Sequence, residues 1–170
     1  MTTLNQEFTE SCDINFAFIP VDMQTGNNGA NWHKMAMCDR VALVLLKAAG
    51  TAGDDPVFTV NQAKDNAGGS SKALTFTKYR SKIGAIATAA NRIWTITTQA
   101  AAGTATLTGA AASAAIVVVE IQGKDLDLAN GFAYVQITIP DTGTNAQLGT
   151  AIYIAVGLKQ PQQTGIDFLA

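Results

Sequence analysis

The chain has 170 residues, of which 48% are hydrophobic and only 14% charged, and its formal net charge is −2. That hydrophobic content excludes a disordered chain, and the length suits one domain with a sizeable core. The 11 Lys and Arg residues are scattered singly, not gathered in a stripe, which excludes nucleic-acid binding through the phosphate backbone.

No apolar run approaches the ~20 residues of a membrane span. The opening "MTTLNQEFTESCDINF" lacks the basic and apolar regions of a signal peptide. The expectation is a protein made in the cytoplasm that stays soluble or joins an assembly. Its surface must be covered by Thr, Ser, Asn, Gln, Gly and Ala, and such a surface is poorly protected against association.

Strand periodicity runs through the chain. In residues 14–23, Ile14, Phe16 and Phe18 alternate with Asn15 and Ala17, which predicts one buried face. Pro20 places the far end at an edge or bulge. Residues 37–48 form a continuous apolar run, as in a strand covered on both sides. A third strand, 56–64, follows the turn signal "GDDP". The fourth, 72–80, follows "GGSS", and Leu74 and Phe76 alternate with Thr75 and Thr77. The fifth, 91–99, sets Ile93 and the threonines against Trp94 and Ile96. Residues 113–122, 130–140 and 149–158 complete the set, and their β-branched and aromatic content favours strand over helix.

Helix signals are scarce. Residues 81–92 suit a turn or two, and 123–131 one helical turn. The Ala/Gly/Thr-rich segment 98–115 reads either as a flat strand or as an exposed loop. The whole predicts an all-β, single-domain β-sandwich of about eight strands, jelly-roll-like, with short helical turns at most. Residues 13–158 form that domain, between an N-terminal arm (1–12) and a C-terminal tail (159–170). An immunoglobulin-like sandwich is the runner-up, but its Cys…Trp…Cys hallmark is missing.

The reactive residue types concentrate in 21–50. His33 is the sole histidine. A catalytic zinc site wants three protein ligands, and Cys12, His33 and Cys38 have no C-x-x-C support. Cys38 lies five residues from His33, but only Lys34 and Arg40 supply the positive setting a thiolate needs. Whether Cys12 and Cys38 are bonded is left open by their spacing. Asp54 and Asp55 precede a proline and read as turn residues, since Asp side chains satisfy local amides. Starting at Asp125, the calcium-loop pattern fails at its fifth, sixth and twelfth positions. Asp125 and Asp127 then keep a surface turn wet, with Leu126 and Leu128 pointing inward. Of the aromatics, Trp94, Tyr134 and Tyr153 sit in strands, and only Trp32 is expected to be exposed. No catalytic, cofactor-binding or metal-binding residue is assigned, and no enzyme activity is expected.

The stretch "FIPVDMQTGNNGANWHKMAMCDRVALVLLKAAGTAGDDPVFTVNQAKD", followed by "KALTFT", "DLDLANGFAYVQ" and "DTGTNAQLGTAIYI", resembles small virion proteins encoded in tailed-phage head gene clusters. The similarity covers residues 19 to 157 and lies in the order and spacing of the pieces. It implies a capsid decoration, or cement, protein: a small β-rich domain bound outside an icosahedral shell. The implied partners are the major capsid protein of the same phage and further copies of the chain, as a homotrimer, with neither nucleic acid nor membrane. The implied location is the capsid surface of the virion. Candidate interface residues are Trp32 and, in the tail, Ile166, Phe168 and Leu169. The alternatives are a head-fibre or tail component, or a carbohydrate-binding sandwich for host attachment with Trp32 as its stacking residue.

Overall fold

The computed structural model describes residues 8–25, 31–84, 93–140 and 143–159. A single helical turn, α1 (Phe8–Ser11), leads into β1 (Cys12–Asp22). The other strands are β2 (His33–Lys34), β3 (Cys38–Lys47), β4 (Val57–Ala63), β5 (Lys72–Ala73), β6 (Phe76–Ile83), β7 (Thr95–Ala102), β8 (Thr104–Thr106), β9 (Ala115–Gln122), β10 (Tyr134–Thr138) and β11 (Leu148–Leu158). Short 3-10 turns at Met35–Met37, Gly123–Asp125 and Leu128–Asn130 complete the described elements.

The strands form two antiparallel sheets. One runs β1-β11-β3-β9-β6-β7; the other runs β2-β10-β4-β5, with β8 beside β5 on the outer edge of β4. The pairing is nested. β1 meets β11, β2 meets β10, β3 meets β9 and β4 meets β5, and successive pairs alternate between the sheets. A long antiparallel hairpin rolled up on itself gives this pattern, which is the jelly-roll winding. β6 and β7 extend the first sheet past β9.

Among the described residues eleven strands stand where eight were expected, because the chain twice changes sheets within a predicted segment and the loop before the second predicted strand adds the short β2. "KALTFTKYR" breaks at Leu74, whose N–H bonds back to Val60 before β6 crosses over. The Ala/Gly/Thr-rich segment is both strand and loop. It supplies the end of β7, turns at Gly103, supplies β8, and runs as a loop from Leu107 to Ala114.

Alternation builds the core. Val41, Leu43 and Leu45 of β3, with Val117, Val119 and Ile121 of β9, share one cluster with Phe58, Val60, Val135 and Ile137. Phe58 stacks on Phe76 (5.9 Å) and meets the edge of Tyr79 (5.4 Å), an arrangement aromatic pairs favour.

The first strand departs from its expected face. Ile14 and Phe16 are each 50% exposed, whereas Ala17 and Phe18 are both buried. A register shift between Phe16 and Phe18 inserts an extra residue there, and such a bulge reverses which side chains face inward. The predicted two-sided covering of 37–48 is met only in part by the described residues, which bury Val44 on the opposite face. Val41, Leu43 and Leu45 are fully buried, but Ala42 and Leu46 on the opposite face are only half-buried.

Candidate functional site

The loop "NWHK" and the start of β3 bring His33 and Cys38 together. Cys38 Sγ lies 3.7 Å from His33 Nε2, both side chains are buried, and the imidazole packs 5.4 Å from the Tyr153 ring. The Tyr153 hydroxyl donates to the Asn31 carbonyl (2.7 Å) and accepts from the Ile137 N–H (3.4 Å). Burial pushes the His33 pKa down to about 4, partly opposed by the Asp13 charge, and pushes the Cys38 thiol up to about 11. Catalysis by such a pair needs a thiolate and an imidazolium. Desolvation favours the neutral form of each, so the contact is a packed element of the core.

Trp32 is not exposed: its accessibility is 8%. The turn 65–69 covers it. A Cβ added at Gly68, where φ is +82°, would lie 3.0 Å from Trp32 Nε1. The turn is closed by Asp65, whose carboxylate accepts the Ala67 and Gly69 N–H groups. Burial removes the stacking residue on which the carbohydrate-binding alternative relied. Ile166, Phe168 and Leu169 lie outside the described residues.

The acidic pairs are turn residues. Asp55 accepts from the N–H groups of Gly109 (3.0 Å) and Ala111 (2.9 Å), and these bonds hold its carboxyl below the usual range. Asp54 faces a different loop and accepts from Thr144 (3.4 Å). Asp125 caps its own 3-10 turn through the Gln122 N–H (2.8 Å). Asp127 pairs with Lys72, which holds its carboxyl low. Leu126 is buried as expected, but Leu128 is 59% exposed, because the second 3-10 turn rotates it outward. Among the described residues no three His, Cys, Asp or Glu side chains converge as a metal-binding group.

Cys12 and Cys38 are both free thiols. β11 lies between their strands, with Cys12 opposite Val156 and Cys38 opposite Leu158. Two strand spacings are about 9.6 Å, beyond disulfide reach.

Lys47 carries no signal in the sequence. It closes β3, is 5% exposed, and its ammonium donates to the carbonyls of Ala110 (2.6 Å), Ala111 (3.2 Å) and Ser113 (2.7 Å). All three ammonium protons are thereby used. With Asp55 taking N–H groups of the same loop, the small-residue segment after β8 is held from both sides.

The outer face of the six-stranded sheet is the other unanticipated feature. The register aligns Phe16, Ile152, Val44 and Val118 in one row, Ile14, Ile154 and Ala42 in the next, and Thr150, Leu46 and Ile116 in a third. All point away from the core. Ile14 and Phe16 are the most open, Ile152, Ile154, Leu46, Ile116 and Val118 are half-buried, and Val44 between them is buried. At one end, Pro20, Leu46, Ala48, Ile116, Leu148 and Thr150 line a shallow groove of about 370 Å³. Charge enters the face at Glu120 of β9, which completes the row of Ile14, Ile154 and Ala42 and pairs with Arg80 (3.3 Å), at exposed Arg40 near the start of β3, and at Lys82, which lies over the Trp94 ring (4.6 Å).

No family model, curated protein or solved structure matches the chain.

Proposed function

We propose that the chain is a virion structural protein of a tailed phage. It binds the outer capsid surface and stabilises the shell as a decoration, or cement, protein. The observation that carries this reading is the apolar outer face of the six-stranded sheet. Large exposed apolar faces mark sites where other protein docks. The rolled sandwich supplies a stiff base for such a face, and the 14% charge content leaves little to desolvate elsewhere on the surface. The resemblance of residues 19–157 to head-cluster virion proteins points the same way, and the homotrimer it implies multiplies a modest contact by avidity. The protein adds no chemistry. It stabilises the assembled lattice by mass action, because it binds that lattice in preference to its dissociated subunits. The partner is the major capsid protein of the same phage. The test is cosedimentation of the purified full chain with heads stripped of it. Saturable binding is expected, and a chain that stays in the supernatant at micromolar concentration refutes the proposal.

A further inference from the structure

We infer that Asn130, in the turn between β9 and β10, is a latent self-modification site: the peptide nitrogen of Gly131 can attack its side-chain amide and deamidate it, and the Asp127 carboxylate holds that reaction off while the chain is folded.

The turn itself calls for both residues. Leu128–Asn130 is a single 3-10 turn that ends where Gly131 adopts φ +81°. An L side chain is strained in that left-handed region, so glycine is the residue that fits. Asn130 closes the turn, and its amide reaches back to Asp127. Asn before Gly is the pairing in which the attack is least hindered, because glycine brings no side chain to crowd its own nitrogen. Both residues are exposed, so water reaches them.

The reaction needs water and nothing else. The Gly131 nitrogen loses its proton to solvent and bonds to Asn130 Cγ. The Cγ–Nδ2 bond breaks, and the side-chain nitrogen leaves as ammonia. The five-membered imide then takes up one water and opens to aspartate, or to isoaspartate when the bond cut is the one from nitrogen to the backbone carbonyl.

The folded turn opposes each part of this step. The Gly131 N–H donates to the Leu128 carbonyl (3.0 Å), which ties up the nucleophile. Asn130 Nδ2 donates to both Asp127 carboxylate oxygens, each at 2.9 Å, which fixes the amide. A residue of a 3-10 turn keeps a helical ψ, whereas ring closure must swing the Gly131 nitrogen round to eclipse the Asn130 Cα–Cβ bond. Asp127 is itself anchored. Its N–H donates to Oε1 of the buried Gln62 (2.9 Å), and Lys72 pairs with its carboxylate. Its carbonyl accepts the N–H groups of Asn130 (3.1 Å) and Phe132 (3.2 Å). Leu126 and Phe132 on either side are buried. Reaching the imide therefore means lifting the turn off β4, which is a local unfolding step. An aspartate at position 130 then sets a second negative charge against Asp127 in place of a donor. The modification marks, irreversibly, that the turn has opened.

The experiment is a timed peptide map, by mass spectrometry, of the full chain kept in mildly alkaline buffer with and without urea. In urea Asn130 should convert at the pace of Asn28, the chain's other asparagine before glycine, which lies outside the described residues. Folded wild type should convert at Asn130 at least about tenfold more slowly than in urea, the factor carried by one charge-assisted hydrogen bond. Folded Asp127→Ala should recover most of that factor. Asp125→Ala removes the cap of the preceding 3-10 turn without touching Asn130, and should stay near wild type. Far-UV circular dichroism checks folding. If Asp127→Ala unfolds, Asp127→Asn decides: it keeps one acceptor oxygen, loses the charge, and should convert faster than wild type. Folded wild type converting at Asn130 as fast as in urea overturns the inference, as does an Asn130 that stays intact even in urea. Asp127 variants no faster than wild type, or Asp125→Ala as fast as they are, overturn it too. No head is present, so the outcome is independent of the capsid reading.

Discussion

Lowering the pH should destabilise the fold through His33 well before the carboxylates titrate. Burial holds the His33 pKa at about 4, against about 6.5 in an unfolded chain. Above pH 6.5 both states hold a neutral imidazole, and its titration contributes nothing. Between pH 6.5 and 4 the unfolded chain takes up a proton that the folded one refuses, so stability falls with falling pH. The gap of about 2.5 pH units corresponds to about 3 kcal/mol. Asp55 and Asp127, whose folded pKa values are lowered, contribute stability above their ordinary range and lose it as pH falls through their lower folded values, mostly below the histidine window. The assay is urea unfolding at fixed protein concentration, followed by tryptophan fluorescence, at pH 7, 6, 5 and 4. Wild type should lose about 3 kcal/mol across the series. His33→Gln should start lower, having lost the ring contact with Tyr153, but show a nearly flat profile over this window. Equal slopes for the two proteins would refute the assignment of a buried neutral histidine.

Two further substitutions probe the parts of the fold that hold the outer sheet together. Lys47→Met keeps the aliphatic stem but strips three carbonyls of their donor, so it should cost about 2–4 kcal/mol in urea unfolding, and hydrogen exchange should rise first in residues 107–114. Gly149→Ala places a methyl against Met23 Sδ, 2.8 Å from Met23 Cε and 3.1 Å from the Leu46 carbonyl. Because Met23 is fully buried, this overpacking should cost about 1–3 kcal/mol, read as a lowered thermal midpoint with an unchanged far-UV spectrum.

Strand positions were legible in the sequence because β-branched runs between Gly, Asn and Asp turns leave few other options. The face each strand presents was less so. Period-two reading assumes an uninterrupted pleat, and the extra residue at Ala17 in β1 reverses it, so Ile14 and Phe16 read as core and stand outside. The apolar run at 37–48 signalled that both faces of β3 would be covered. The described residues cover one fully and the other only in part. Trp32 looked exposed because its neighbours are Gly and Asn, but the turn 65–69 that buries it lies more than thirty residues downstream. Lys47 looked like an ordinary solvated strand end. Its role depends on carbonyls more than sixty residues away, and no local pattern encodes that contact. The sequence did not reveal that His33 and Cys38 touch, because the contact depends on how the short β2 sits beside the start of β3.

The claim on which the functional reading depends is that this protein works by covering apolar surface on a capsid. Calorimetry of stripped heads, with and without the purified chain, tests it most directly. The expected result is a rupture temperature that climbs with added protein and levels off at a fixed number of copies per head. A rupture temperature unchanged at saturating protein would contradict it.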